Sequence, residues 1–163
     1  MTDYPISKVL RMMPYGFYAI SSRAGEEVNI MVANWLTQAS FEPQLVVLGL
    51  QKTSHTHGLI EQGQVFAVNL FRKEDQEAIK PFTKSRAKNR DKVQDAKFSP
   101  GPETGSPILD AAAAYFECKV VAKFETGGDH DIILGEVVGA GINKPGEAKE
   151  TLTLPYIGWS YAG

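Results

Sequence analysis

Residues 116–142, FECKVVAKFETGGDHDIILGEVVGAGI, decide the fold. Phe116, Cys118, Val120, Ala122 and Phe124 alternate with Glu117, Lys119, Val121 and Lys123, a period of two with one lapse. That period belongs to a β-strand with one face inward. Ile132 to Ile142 predicts a second long strand after the tight Gly127-Gly128-Asp129 turn. Its glycines, Gly135, Gly139 and Gly141, predict bends or close backbone approach, as the wall of a barrel requires.

Upstream, Gly16–Ser22 and Val28–Trp35 read as two strands around the polar loop 23–27, a hairpin. Ser7–Met13 reads as a short opening helix ended by Pro14. Leu45–Leu50, LVVLGL, is a continuous apolar run of strand length that suits burial on both faces. His57–Gln62 reads as one or two helical turns, Val65–Phe71 as a strand and Glu74–Phe82 as a short helix. Lys84–Lys97 is a basic, polar loop, and charge runs of this kind are usually solvated. Ser99–Pro107 is irregular, and a last strand is expected near Tyr156–Tyr161. Six or seven strands, short helices and no βαβ alternation point to a mainly β protein, a barrel with helical accessories, in one domain over residues 1–163.

Seventeen Lys and Arg face nineteen Asp and Glu, a net charge of -2, which argues against nucleic-acid and anionic-membrane partners. No apolar run approaches the roughly 20 residues of a membrane-spanning helix. Met1–Pro5 has neither the basic start nor the apolar stretch of a signal peptide. The single cysteine, Cys118, has no internal disulfide partner, so a cytoplasmic, reducing setting is expected.

Two polar segments flank the apolar strand. Asn34–Pro43, NWLTQASFEP, offers amides, hydroxyls and backbone N–H groups that suit the polar edge of a flat heterocycle; the plain alternative is a polar connection. Lys52–His57, KTSHTH, combines a cation, three hydroxyls and a helix start, which suits a phosphate; the plain alternative is helix capping by Ser54 or Thr56. His55 and His57 form an H-x-H pair, but His130 is the only other histidine, so no metal is expected. No dinucleotide glycine fingerprint, P-loop or G-x-S-x-G elbow occurs.

In order along the chain, Gly16–Ser22, Asn34–Pro43, Lys52–Thr56, Val65–Leu70, Asp75-Gln76, Phe82, Phe116-Glu117-Cys118, Gly128-Asp129-His130 and Gly135-Glu136-Val137 resemble the flavin reductase-like FMN-binding split-barrel proteins. The resemblance implies a six-stranded Greek-key split β-barrel with short accessory helices, a homodimer, and non-covalent FMN near the subunit interface. It implies that Asn34, Trp35, Thr37, Gln38, Ala39 and Ser40 line the flavin ring and ribityl chain. It places Lys52, Ser54, His55 and Thr56 around the phosphate, with Arg90 and Lys92 as further phosphate contacts, and His130 on the face where the electron donor approaches. The plain alternative for His130 is a turn residue bonded to backbone. Gln44 stands where the family often has a second proline, and Asn34 where serine is common.

The activity this implies is NAD(P)H-dependent hydride transfer to FMN N5, with electrons leaving to free flavin, ferric iron or a partner protein. Two other readings stay open: an FMN electron carrier that never meets nicotinamide, and a free-standing counterpart of the flavin reductase domain fused to flavodiiron proteins.

Overall fold

The computed structural model describes residues 5–161, so the reading of Met1–Tyr4 lies outside the described residues. Among the described residues nine strands form: β1 (Tyr18–Ala24), β2 (Glu27–Ala33), β3 (Leu36–Phe41), β4 (Gln44–Gln51), β5 (Val65–Leu70), β6 (Phe98–Pro100), β7 (Pro107–Leu109), β8 (Ala114–Glu125) and β9 (His130–Ile142). Seven pair into one antiparallel sheet in the order β2-β1-β5-β8-β9-β4-β3, and β6 pairs with β7. The helices are short: α1 (Ile6–Leu10), α2 (His55–Gly63) and α3 (Gln76–Ile79), the last flanked by single 3-10 turns.

The long β8–β9 pair forms as the period-two pattern requires. Two bulges interrupt the pairing: at Val120/Ala122 the extra residue is Val121, the position of the lapse, and at Glu117/Cys118 it is Val138 of β9. Glu117 and Cys118 alternate across β8 and are both buried, Cys118 in the core with Phe66 and Glu117 beneath the 101–106 loop rather than on a solvated polar face. Its carboxylate is satisfied there, accepting from the backbone N–H of Glu103 (3.2 Å) and from the N–H (2.8 Å) and Oγ1 (2.7 Å) of Thr104. Gly135 meets the expectation of close approach: a Cβ there would lie 2.6 Å from Cζ of Phe66.

Several expectations are corrected. Asn34–Pro43 is not only a connection: its centre is strand β3, paired with β4 and bulged between Gln38 and Ser40. In β4, Val46, Leu48 and Leu50 are buried while Leu45, Val47 and Gly49 are half-buried, so one face rather than two is closed. Ser99–Pro107 carries the ends of the β6–β7 ribbon, held because Ser21 Oγ and Asn69 Nδ2 donate to Pro107 O and Leu109 N donates to Asn69 Oδ1. Tyr156–Tyr161 is not a strand: the chain pairs only at Thr151 with Arg72 and at Thr153 with Gly16, then turns. Lys92, in the middle of the basic loop, is buried.

An interior cluster joins Ile20, Phe66, Val68, Leu48, Leu50 and Ile133 with Ile60 of α2. Each such side chain contributes about 1.5–3 kcal/mol by leaving water. A second cluster, around Phe17, Ile30, Phe71, Phe82 and Leu152, fills the other side of β1 and β5. Helix α2 lies against β1 and β2. It is also tied to β9 by a hydrogen bond between His57 Nε2 and Asp131 Oδ2, 2.8 Å long and buried. That tie brings the start of α2 beside the start of β9.

Candidate functional site

Two adjoining compartments open at this place. The first, about 340 Å³, is walled by Asn34 and Trp35 at the exit of β2, by Gly49 of β4, by His130 at the start of β9, and by Trp159 and Tyr161. Trp35 lies over Gly49, where a Cβ would come within 3.2 Å of the tryptophan Cβ, a tight fit that a larger residue would meet only by shifting Trp35. Its ring centroid is 4.6 Å from that of His130 and 4.9 Å from that of Tyr161. Trp35 Nε1 and Asn34 Nδ2 are buried donors with no hydrogen-bond acceptor among the described residues. Buried donors are seldom left so, and a ligand with ring acceptors would satisfy both.

His130 is oriented from behind. Its Nδ1 is 2.7 Å from Asp129 Oδ1. A carboxylate only accepts, so Nδ1 carries the proton. The His130 hydrogen bond, followed by its charge, holds the Asp129 carboxyl below the usual aspartate value. Nε2 turns to Tyr161 Oη at 3.4 Å.

The second compartment, about 490 Å³, lies between the first turn of α2 and the loop after Phe82. Ser54 caps α2 by accepting from His57 N (3.2 Å), while Thr56 Oγ1 accepts from Asn29 Nδ2 (2.9 Å), leaving Asn29 Oδ1 without a partner. Opposite stand Lys84, Arg86 and Lys92. Lys92 donates to Lys84 O at 3.0 Å and has no acidic partner among the described residues. Burial, and then the neighbouring Arg86 charge, push its pKa below that of an ordinary lysine. Glu27 Oε1 meets both His55 Nε2 (2.6 Å) and Arg86 Nη1 (3.4 Å) at the rim. A helix start facing cations is an anion site in its electrostatics.

Met31, Val32, Gln51 and Thr83 line both compartments, so they form one cleft, aromatic at one end and cationic at the other.

The structure brings together Asn34, Trp35 and His130 at the aromatic end, and Ser54, His55, Thr56 and Lys92 at the cationic end. It does not bring Lys52 there: Nζ lies 3.6 Å from Asp131 Oδ1. Arg90 is exposed and outside the cleft, and Arg86 stands inside it instead. Thr37, Gln38, Ala39 and Ser40 lie on edge strand β3 outside both compartments, where Thr37 Oγ1 and Gln38 Nε2 donate to the strand's own carbonyls. His55 and His57 sit on a helix and face different partners, Glu27 and Asp131. Sequence reasoning missed Asn29, Arg86, Trp159 and Tyr161. The basic run contained Arg86 without singling it out, and the two aromatics were assigned to a strand.

Known proteins share this chain's pattern. It is 29% identical over 143 residues to diflavin flavoprotein A 1 of Synechocystis sp., covering 87% of this chain and 25% of that protein. It is 33% identical over 117 residues to an NADH-dependent FAD reductase of Streptomyces globisporus, covering 71% of this chain and 64% of that one. The chain thus spans about a quarter of the diflavin flavoprotein's length. Among solved structures, the NADH:FAD oxidoreductase SgcE6 of Streptomyces globisporus superposes with a TM-score of 0.76 at 28% identity, covering 86% of this chain and 83% of that one. An FMN-binding protein from Thermus thermophilus gives 0.74 at 27% identity, covering 82% and 73%. The flavin reductase like domain matches residues 10–161, and with the fold and the two-ended cleft in place, the chain belongs to that family.

Proposed function

We propose that this chain is an NAD(P)H:flavin oxidoreductase that holds FMN non-covalently, the whole chain acting as one flavin-binding domain. The observation that supports it is the single cleft with buried, unsatisfied donors at its aromatic end and a helix start facing cations at the other. The residues fit a flavin nucleotide: Trp35 Nε1 and Asn34 Nδ2 are placed for ring acceptors, and Ser54, Thr56, Arg86 and Lys92 for a phosphate. When bound, the flavin supplies the hydride acceptor and passes electrons on to free flavin, ferric iron or a partner protein. His130, held by Asp129, orients the nicotinamide. Backbone N–H groups of 37–40 belong to the ring site only if β3 of a second copy, or a shift of its own, brings them to it.

A homodimer supports that arrangement. Phe124, Ile132, Leu134 and Val47 stand in register across β8, β9 and β4 and remain half-exposed, a face that a second copy would cover. The finer architecture we favour is closure of the sheet into a Greek-key split barrel, and the setting the cytoplasm, where the lone thiol stays reduced. The diflavin flavoprotein relatives favour a second reading, a free-standing counterpart of their flavin reductase domain fed by a partner protein.

The test is anaerobic stopped-flow mixing of FMN-loaded protein with NADH and with NADPH. Bleaching of the flavin band is expected with at least one donor. Bleaching by neither leaves the carrier reading, and a protein that neither retains FMN nor gains thermal stability from it ends the flavin assignment.

A further inference from the structure

The aromatic end is partly filled by the protein itself. After Thr153 the chain is anchored by Leu154 N to Tyr15 O (3.0 Å), by Trp159 N to Leu154 O (3.2 Å) and by the edge of Trp159 against Phe17 (5.8 Å between centroids). Beyond Trp159, no backbone hydrogen bond holds Ser160 or Tyr161 among the described residues. Tyr161 nevertheless points into the compartment, edge-on to Trp35, with Oη 3.4 Å from His130 Nε2, and it is 42% exposed. Among the described residues the side chain is therefore placed by its ring edges against Trp35 and His130 and by one long hydrogen bond, and not by a hydrogen bond of its own backbone.

The chemistry of that hydrogen bond is specific. In its neutral form, with Nδ1–H committed to Asp129, the His130 ring offers a lone pair at Nε2, and the Tyr161 hydroxyl at 3.4 Å is the donor that fills it. A nicotinamide carboxamide carries N–H donors of the same kind beside a flat ring. Building on the reductase reading above, we propose that Tyr161 is a gate and specificity residue: it caps His130 Nε2 and covers Trp35 until a planar ring bearing an amide donor displaces it. The exchange trades one donor for another at the same lone pair, so opening costs little for a carboxamide. A flat ring without such a donor leaves Nε2 unpaired and is disfavoured. Because the binding-competent state is then only a fraction of the population, the apparent affinity for the donor is lowered by that fraction.

Titration of NAD+ into flavin-loaded wild type, Tyr161→Phe and Tyr161→Ala tests this, with the His130 ring signals followed by nitrogen NMR before NAD+ is added. Removing the hydroxyl alone is expected to tighten NAD+ roughly 3- to 10-fold, as the loss of one competing hydrogen bond allows. Tyr161→Ala is expected to tighten it at least as much, and both substitutions to shift the Nε2 resonance. NAD+ bound equally by all three proteins, or a Nε2 resonance indifferent to Tyr161→Phe, overturns the gate alone. NAD+ bound by none of them overturns the nicotinamide reading as well, a result that wild type reports without the variants.

Discussion

Trp35 and His130, nearly a hundred residues apart in the chain, meet with ring centroids 4.6 Å apart and planes tilted by 53° because β4 pairs with β9 on one side and β3 on the other. Gln51 pairs with His130 at the end of β4, and Gly49 runs beneath Trp35. The contact joins the segment expected to bind the ring to the residue expected to receive the donor. It makes His130→Ala a clean probe of the donor side. Flavin affinity should change by less than about threefold, while hydride transfer should fall by about 10- to 100-fold, the lower range for a positioned polar group. Fluorescence titration and anaerobic stopped-flow separate the two.

At the other end, Arg86→Ala should weaken FMN by roughly 10- to 100-fold, as loss of a charge-assisted hydrogen bond to phosphate does. Riboflavin, which lacks the phosphate, should bind as before. Lys52→Ala should have a smaller effect on FMN than Arg86→Ala, because Lys52 faces Asp131 rather than the cleft.

Asp131 carries a pH signature. Burial by itself raises its pKa, but the His57 hydrogen bond and then the Lys52 charge outweigh it, so the carboxyl sits below the ordinary aspartate value. A folded pKa below the unfolded value of about 3.9 means that ionised Asp131 adds stability above that pH. The contribution is lost as pH falls through the folded pKa. Asp131→Asn should therefore melt lower than wild type at pH 7, and the gap should hold down to about pH 4 and narrow only as pH falls further, through the folded pKa. Melting temperatures across pH 3–8, on the order of one reading per half unit, check it.

Cys118 should be inert. Burial, reinforced by the nearby Glu117 charge, pushes its thiol up to about 12. A thiol reagent at pH 8 should label no cysteine in the folded protein and one per chain in denaturant.

Glu117→Ala should destabilise the fold by about 2–3 kcal/mol, because the N–H groups of Glu103 and Thr104 lose their acceptor in a buried place. Urea unfolding measures it. Flavin affinity should hold, since the 101–106 loop lies away from the cleft.

Much of the scaffold was legible because its signals are local. The β8–β9 alternation, the LVVLGL run and the Ser54 cap each follow from residues a few positions apart. Asn34 and Trp35 could be singled out because polar groups followed a strand, and Ser54 to Thr56 because hydroxyls preceded a helix. What escaped depends on distant neighbours. Glu117 looks solvent-facing until the loop at Thr104 encloses it. Arg86 and Arg90 are indistinguishable within a basic run until the loop's path turns one inward. The stretch 36–41 reads as a connection because exposed edge-strand residues have no buried face to mark their period. Trp159 and Tyr161 carry strand propensity, yet only Thr151 and Thr153 find partners.

The buried bond between His57 and Asp131 has a consequence for how the two ends of the cleft communicate. His57 belongs to the first turn of α2, whose start faces Lys84, Arg86 and Lys92, and Asp131 is the immediate neighbour of His130. Were the proposed phosphate to draw the start of α2 inward, the bond would pass that movement to the strand that carries His130. Whatever factor phosphate occupancy applies to nicotinamide affinity, nicotinamide must return to phosphate, since the coupling free energy is one quantity seen from two sides. Replacing Asp131 would then uncouple ligands that never touch it.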